Sequence, residues 1–154
     1  MTGIVTSEAA VEQIRVSERL EFPYVRSLGP VVGAFADALM EMRLLGARTD
    51  DGRVLVPPTE WDPVDGEPLS GELVEVGPTA TVESWTWVAQ PQSVHLLERP
   101  FAFAQLRPEG ATTTIVHLVD VGSPERMSTG MRVSPQWKDQ RIGRIDDIAY
   151  WVPA

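Results

Sequence analysis

The sequence of 154 residues contains no cysteine. Disulfide bonds are therefore excluded, and so are metal sites and catalytic nucleophiles that require a thiolate. Long apolar runs are missing as well, because no stretch approaches the roughly 20 residues that a membrane-spanning helix needs. The first residues, Met1 to Leu20, lack the basic start and the apolar centre of a signal peptide. We therefore expect a cytoplasmic protein that does not bind a membrane.

Positive charge is also scarce, since 13 basic residues stand against 22 acidic ones and give a net charge of −9. Such a chain does not suit nucleic acid or an anionic membrane surface as a partner, because both attract basic proteins. The charge is uneven: residues 1–98 carry a net −10 and residues 99–154 carry +1. An anionic ligand would therefore meet less repulsion in the C-terminal half.

Turn-forming residues and short strand signals dominate what the sequence does contain. Thirteen prolines and 12 glycines separate segments that are rich in β-branched and aromatic residues. Five segments have this character: Thr81–Ala89, Phe101–Leu106, Thr112–Val121, Met131–Lys138 and Ile145–Val152. Five short strands with turn signals between them predict a mainly β protein built around a small closed barrel.

One segment has helical spacing instead. Val31, Phe35, Leu39 and Met42 follow one another at intervals of four, four and three residues, so they share one face of a helix. We predict a helix over residues 30–45 that stops at Gly46. Its apolar face either packs on the barrel or docks on another chain. Phe35, Leu39 and Met42 are therefore candidates for a partner interface.

Two turns in the following segment have the spacing of zinc-ribbon knuckles. Residues 48–52 read Arg-Thr-Asp-Asp-Gly and residues 62–66 read Asp-Pro-Val-Asp-Gly. Each places two positions three residues apart before a glycine, which is the C-x-x-C-G pattern of a zinc ribbon. The four ligand positions are occupied by Arg48, Asp51, Asp62 and Asp65.

These four residues make a poor metal site. An arginine cannot bind zinc, and three aspartates would form an exposed site of hard oxygen ligands. We therefore expect no metal, because Asp and Gly form such turns unaided, and we predict that Arg48 pairs with one of the aspartates. Trp61 lies in this segment and is an interface candidate, because a small ribbon has little core to bury it.

Candidate catalytic groups are few. His117 lies within a predicted strand and is expected to be structural, whereas His95 lies in a loop, either at the surface or at a partner's active-site entrance. The pair Asp146-Asp147 is expected to form a turn, since a two-carboxylate catalytic site needs a pocket. Trp85 and Trp87 are expected to pack in a core or an interface, because stacking on nucleic-acid bases also requires a basic groove.

The order of these features resembles the DUF35 family, in which a rubredoxin-like zinc ribbon precedes an acyl-CoA-associated OB-fold. The resemblance covers residues 28–154. It is carried by Val56-Pro57-Pro58, Val82–Val88, Pro100–Ala104, Gly130–Val133 and the close Tyr150-Trp151-Val152-Pro153. Residues 1–27 lie outside it and are expected to form an extension, in which the residues alone predict a short helix at Ser7–Leu20. The resemblance implies an amphipathic helix over 28–46, a degenerate ribbon-like segment over 47–72 and an OB-fold barrel over 73–154.

The resemblance also implies a function. Members of the family act as non-catalytic accessory subunits of thiolase-like or lipid-transfer-type enzymes, in retro-aldol or thiolytic cleavage of steroid side chains or fatty acyl groups. A two-plus-two hetero-oligomer is then expected, in which this chain helps to form the acyl-CoA channel and binds no cofactor of its own. Five basic residues are candidates for contact with CoA phosphates: Arg126, Arg132, Lys138, Arg141 and Arg144.

Two other functions stay open on the residues alone. The chain is alternatively a stand-alone module that binds acyl-CoA or lipid. It is otherwise a hydrolase that uses His95 or His117 with a carboxylate.

Overall fold

A computed structural model describes residues 16–24 and 27–154 of the chain. These residues form one α-helix and eight strands, joined by turns and two short 3-10 helices at Pro124–Arg126 and Ile145–Asp147. In chain order the main elements are α1 (Gly29–Met40), β1 (Leu44–Arg48), β2 (Val54–Leu55), β3 (Leu73–Val76), β4 (Ala80–Val88), β5 (Phe101–Pro108), β6 (Ile115–Val119), β7 (Arg132–Trp137) and β8 (Ile148–Pro153).

Strands β4 to β8 form a closed barrel in the order β4-β5-β6-β8-β7. All neighbours are antiparallel except β6 and β8, which are parallel, and β4 closes the ring by pairing with β7. Alternate residues of β5, namely Ala102, Ala104 and Leu106, face the interior with Val119 and Trp151. The prediction of a mainly β protein with a five-stranded barrel is confirmed.

Strands β1 to β3 form a separate three-stranded antiparallel sheet in the order β2-β1-β3. Gly46 lies in the middle of β1, where a β-carbon would come within 2.5 Å of the Val54 side chain. The close approach of β2 therefore requires a glycine here. This sheet, together with the loop at residues 56–72, is called the ribbon below.

The helix is shorter than the sequence predicts. It ends at Met40, and the backbone amides of Met42 and Arg43 donate to the carbonyls of Leu39 and Ala38, as in a Schellman motif. Met42 adopts the left-handed conformation that this motif requires, with φ of 62°. The prediction of a helix to residue 45 that stops at Gly46 is wrong, because the chain turns at Met42 and enters β1 at Leu44.

Two threonines join the ribbon to the barrel. The Thr113 hydroxyl accepts a hydrogen bond from the Val56 amide (2.6 Å) and donates one to the Val56 carbonyl (2.9 Å). The Thr112 hydroxyl accepts from the Val54 amide at 3.0 Å. The predicted third barrel strand therefore starts three residues late, at Ile115, because these threonines bond to β2 instead.

The N-terminal extension carries little regular structure where it is described. Residues 16–24 form no helix, and Leu20, Phe22 and Tyr24 are exposed. The predicted short helix over Ser7–Leu20 thus has no helical residues at its C-terminal end, and its remainder lies outside the described residues. Across residues 16–24 and 27–154, no helix has both the length and the hydropathy to cross a membrane.

Candidate functional site

The first knuckle is the turn that joins β1 to β2. The Thr49 amide donates to the Arg53 carbonyl and the Gly52 amide donates to the Thr49 carbonyl, each at 3.0 Å. Gly52 has φ of +86°, a conformation that glycine adopts without a steric cost. The turn buries Thr49, and the Thr49 hydroxyl donates to a carboxylate oxygen of Asp51 at 2.5 Å. The knuckle is therefore closed by hydrogen bonds of its own residues.

The second knuckle is held in the same way. The Asp62 carboxylate accepts a hydrogen bond from the Val64 amide at 2.9 Å, and the Asp62 carbonyl accepts one from the Gly66 amide at 2.9 Å. The Asp65 carboxylate accepts from the Glu67 amide at 3.0 Å. These are Asx-type turns, in which an aspartate carboxylate accepts a hydrogen bond from the backbone amide two residues on.

One arginine connects the two knuckles. Nε of Arg53 lies 2.7 Å from Oδ2 of Asp51, and Nη2 lies 2.5 Å from Oδ2 of Asp62. The Asp62 side chain is 8% exposed and that of Arg53 is 26% exposed, so the second contact is largely shielded from water. We call Arg53, Asp51 and Asp62 the arginine clasp.

The clasp changes the protonation behaviour of both carboxylates. The hydrogen bond from Thr49, followed by that from Arg53, lowers the pKa of Asp51 to about 2. The pKa of Asp62 is lowered by the Val64 amide first and by Arg53 second. Both carboxylates are therefore held in the charged form at neutral pH.

The residue that pairs with the aspartates is Arg53, and the prediction that Arg48 does so is wrong. Arg48 lies on β1, and its Nε bonds Glu72 at 2.9 Å. The reason is the strand geometry: the turn places Thr49 inside the knuckle, and Arg48 then extends along the sheet towards the residues before β3. Sequence reasoning missed Arg53, although Arg48 and Arg53 are the two basic residues of the acidic segment 47–72.

These residues do not fit the zinc ion that a zinc ribbon holds. Zinc in structural sites takes four thiolate or imidazole ligands. Here Asp51 and Asp62 already bind a guanidinium, and Arg48 faces another carboxylate. Within residues 16–24 and 27–154, no three His, Asp or Glu side chains come together in a way that would hold a metal.

Both histidines form structural contacts. His117 is buried on the inward face of β6 opposite Ala104, and Nε2 lies 3.3 Å from the Ile145 carbonyl oxygen. Burial, the largest cause, lowers the pKa of His117. Nδ1 of His95 accepts from the Gln92 amide at 2.9 Å, and the ring packs edge-on against Phe101. Among residues 16–24 and 27–154, neither forms a catalytic pair with a carboxylate.

The two neighbouring aspartates also have structural partners. The buried Asp147 carboxylate accepts hydrogen bonds from three successive amides, those of residues 142–144, and so closes the loop before β8. Asp146 pairs with Lys138 at 3.0 Å and with Arg144 at 2.9 Å, and the hydrogen bond from Lys138 is the main cause of its lowered pKa. The pair forms a turn.

The five basic candidates for CoA phosphates do not lie together. Arg132 begins β7 and Lys138 directly follows its last residue, which places them roughly 20 Å apart at the usual rise of a strand. Arg132 pairs with Glu109, and Arg141 donates to the carbonyls of Met40 and Lys138. Lys138 and Arg144 pair with Asp146, and Arg126 is exposed beside Gly122. They form no single basic patch.

The interface candidates divide into two groups. Phe35 and Leu39 are buried against the core, so they cannot contact a partner in this conformation. This outcome selects the alternative that α1 packs on its own chain. Trp61 and Met42 are 58% and 51% exposed. Trp85 and Trp87 are partly buried and pack against the barrel core.

Four surface pockets of the described residues are small, with volumes of about 130 to 270 Å³. The largest of these is lined by Thr79, Glu109 and Arg132, whose polar groups bond one another. Sites for drug-sized ligands usually measure about 300 to 1,000 Å³.

Comparison with known proteins bears on the fold. No protein-family model and no curated protein matches the sequence. Among solved structures, a chain of the Ltp2–ChsH2(DUF35) aldolase has a TM-score of 0.56 and 20% identity, over 79% of this chain and 92% of that one. A DUF35-family protein of unknown function from Sulfolobus solfataricus has a TM-score of 0.56 and 18% identity, over 70% and 78%. The chain therefore has the fold of DUF35 proteins.

Proposed function

We propose that the chain is a non-catalytic accessory subunit of an aldolase or thiolase-like enzyme that acts on acyl-CoA thioesters. The observation that carries the proposal is the likeness of most of the chain to a chain of the Ltp2–ChsH2(DUF35) aldolase. That structure bears the name of an assembly of two components. A chain with this fold is accordingly a candidate for assembly with an enzyme.

In the part of the chain that the structure describes, the candidate catalytic residues are engaged in structural contacts, which supports the same proposal. A catalytic base must lie within hydrogen-bonding reach of a reacting proton, and it needs a partner that tunes it. His117 is directed at a backbone carbonyl inside the barrel, and the carboxylates of Asp146 and Asp147 are bonded within their own loop. Without cysteine, the covalent chemistry of a thiolase has to come from the partner.

Exposed apolar side chains on the ribbon give the partner a surface to bind. Trp61 directly precedes the second knuckle and Val64 lies within it, and both are more than half exposed. Tryptophan dominates many interfaces because it buries a large apolar area at a low cost in side-chain entropy. We propose that the ribbon contacts the enzyme through the exposed side chains of Trp61 and of Met42, which follows α1.

In this proposal the acyl-CoA lies mainly in the partner, and this chain forms part of the channel wall. Small pockets and a dispersed set of basic residues support that division. The alternative of a stand-alone acyl-CoA module would need one deep apolar site with converging cations. We further propose a two-plus-two assembly for steroid or fatty acyl substrates, as the family resemblance implies.

Co-expression tests the proposal directly. The full chain, carrying an affinity tag, is expressed with each thiolase-like or aldolase protein encoded in its source genome. We expect one of them to co-purify, and we expect light scattering after gel filtration to give a mass of two copies of each chain. Failure of every such protein to co-purify would contradict the proposal.

Matched variants locate the contact. Trp61→Ser is expected to raise the dissociation constant of the complex by about tenfold or more, because tryptophans that become buried in an interface are frequent hot spots. Val116→Ser, on the outside of the barrel and similarly exposed, is the control and is expected to bind as the wild type does. Calorimetry of the chain alone with acetyl-CoA and palmitoyl-CoA separates the alternatives, since binding by the isolated chain would favour the stand-alone module.

A further inference from the structure

The arginine clasp joins the same two turns that a metal ion joins in a zinc ribbon. In such a ribbon each knuckle supplies two ligands, and the ion holds the knuckles together because it binds all four. Here the guanidinium of Arg53 contacts one carboxylate from each knuckle, Asp51 at 2.7 Å and Asp62 at 2.5 Å. The connection between the knuckles is thus made by a side chain of this protein.

Each carboxylate of the clasp is fixed by a second donor. The Thr49 hydroxyl holds Asp51, and the Val64 amide holds Asp62. Both carboxylates are therefore oriented before the arginine reaches them, which reduces the entropy lost when the bonds form. Arg53 directly precedes β2, and its carbonyl accepts a hydrogen bond from the amide of Thr49, the residue that follows β1.

The chemistry of the cluster favours a cation on a side chain over a metal ion. Guanidinium is always charged and presents several donors in one plane, which suits two carboxylates at once. A divalent ion placed beside it would be repelled by the same positive charge. The residue at the remaining ligand position of the first knuckle, Arg48, pairs with Glu72 instead.

We propose that Arg53 replaces the metal ion of a zinc ribbon, so that the ribbon of this protein folds without metal and depends on one guanidinium. The dependence is specific to the fork of arginine. Lysine carries the same charge as a single point and cannot bond two carboxylates with the same geometry. This inference does not rest on the proposed partner.

The experiment compares Arg53→Met with Arg48→Met in the full chain. Both substitutions remove a guanidinium paired with a carboxylate, and the two residues lie at the two sides of the same turn, Arg48 at the end of β1 and Arg53 directly before β2. We expect Arg53→Met to lower the melting temperature by about 4 °C or more. It should also increase hydrogen exchange in residues 49–69, while exchange in β5 stays unchanged. Arg48→Met is expected to change the melting temperature by about 1 °C at most.

Further measurements keep the test decisive if Arg53→Met fails to fold. Arg53→Lys is expected to give part of the same loss, confined to residues 49–69. The wild type is expected to contain less than one tenth of an equivalent of zinc by mass spectrometry and to keep its melting temperature in EDTA, added ZnCl₂ or added CaCl₂. Stoichiometric zinc, a melting temperature that falls in EDTA or rises with either ion, or equal effects of Arg53→Met and Arg48→Met would each overturn the proposal.

Discussion

The barrel and the ribbon of this protein are stabilised in different ways. The barrel interior is mostly apolar, with Val82, Leu106, Ile148 and Trp151 fully buried and His117 as a buried polar side chain of β6. The ribbon buries fewer apolar side chains, and its knuckles are held by hydrogen bonds and by the arginine clasp. Burial of apolar area stabilises without regard to direction, whereas polar contacts need a fixed geometry and respond to pH.

This difference explains how the ribbon can keep its shape without a metal bound by thiolates. The barrel does not depend on the knuckles, because its strands close on themselves. The ribbon is attached to it through Thr112 and Thr113, and through buried side chains of the ribbon and of α1 that belong to the same apolar cluster as the barrel core. A new polar connection therefore has to hold only the two knuckles, and the remainder of the fold tolerates the change.

The largest expected effect is in the barrel. Trp151→Ala is expected to lower the free energy of unfolding by about 3 to 5 kcal/mol, because it opens a cavity where the side chain is fully buried. Trp61→Ala, in the ribbon, is expected to change it by about 0.5 kcal/mol or less, since that side chain is mostly exposed. Urea denaturation of the two variants measures the contrast. Similar losses would mean that the ribbon is held by apolar burial after all.

The next largest loss of stability is expected where Thr113 joins the ribbon to the barrel. Thr113→Val keeps the shape of the side chain but leaves the buried amide of Val56 without its acceptor, at a cost of about 1 to 3 kcal/mol. Thr86→Val, at an exposed position of β4, is the control for adding the methyl group. Urea denaturation gives the cost, and hydrogen exchange at residues 54–56 should rise only in Thr113→Val. An unchanged exchange rate there would show that the ribbon does not need this connection.

The barrel could be predicted from the sequence, but the connections of the ribbon could not. Strand alternation and the turn residues between strands identify all five barrel strands, because both signals are local. The knuckles were visible for the same reason, since Asp and Gly specify turns. The helix end was missed because Met42 takes a conformation usually left to glycine, and Gly46, which resembles a helix stop, is required by contact with Val54.

Contacts between residues that are not neighbours in the sequence determine the geometry of the candidate site. From the sequence alone, Arg48 and Arg53 are equally plausible partners for the aspartates. Only the pairing of Arg48 with Val54 and of Thr49 with Arg53 across the turn directs one guanidinium outwards and the other between the knuckles. In the same way, the spacing of Phe35 and Leu39 predicted one apolar face, but the sequence did not show that the ribbon and barrel already cover it.

A smaller expected effect is that the stability of the barrel and that of the ribbon depend on pH in different ranges. Burial lowers the pKa of His117 below its usual 6.5, so the unfolded chain takes up a proton more readily than the folded barrel. Stability is therefore expected to fall as the pH drops below 6.5, by about 1.4 kcal/mol per pH unit at most for one proton. His117→Gln should remove this slope between pH 6.5 and 5, as measured by urea denaturation, and His95→Gln controls for the loss of a histidine. An identical slope in His117→Gln and wild type would contradict the assignment.

The ribbon is expected to respond at lower pH than the barrel. The pKa of Asp51 is about 2 in the folded chain and 3.8 when it is unperturbed, so the carboxylate stabilises the fold above 3.8. That contribution is lost as the pH falls from about 4 through 2, because the unfolded chain then binds the proton first. Asp51→Asn should therefore have a lower melting temperature than wild type at pH 5, and the difference should shrink towards pH 2.5. Asp50→Asn, in the same turn, supplies the control. The outcome that would contradict this prediction is a difference between Asp51→Asn and wild type that stays constant over this range. It would mean that Asp51 stabilises the fold through the geometry of its hydrogen bonds and not through its charge, so that the ion pair with Arg53 would not contribute.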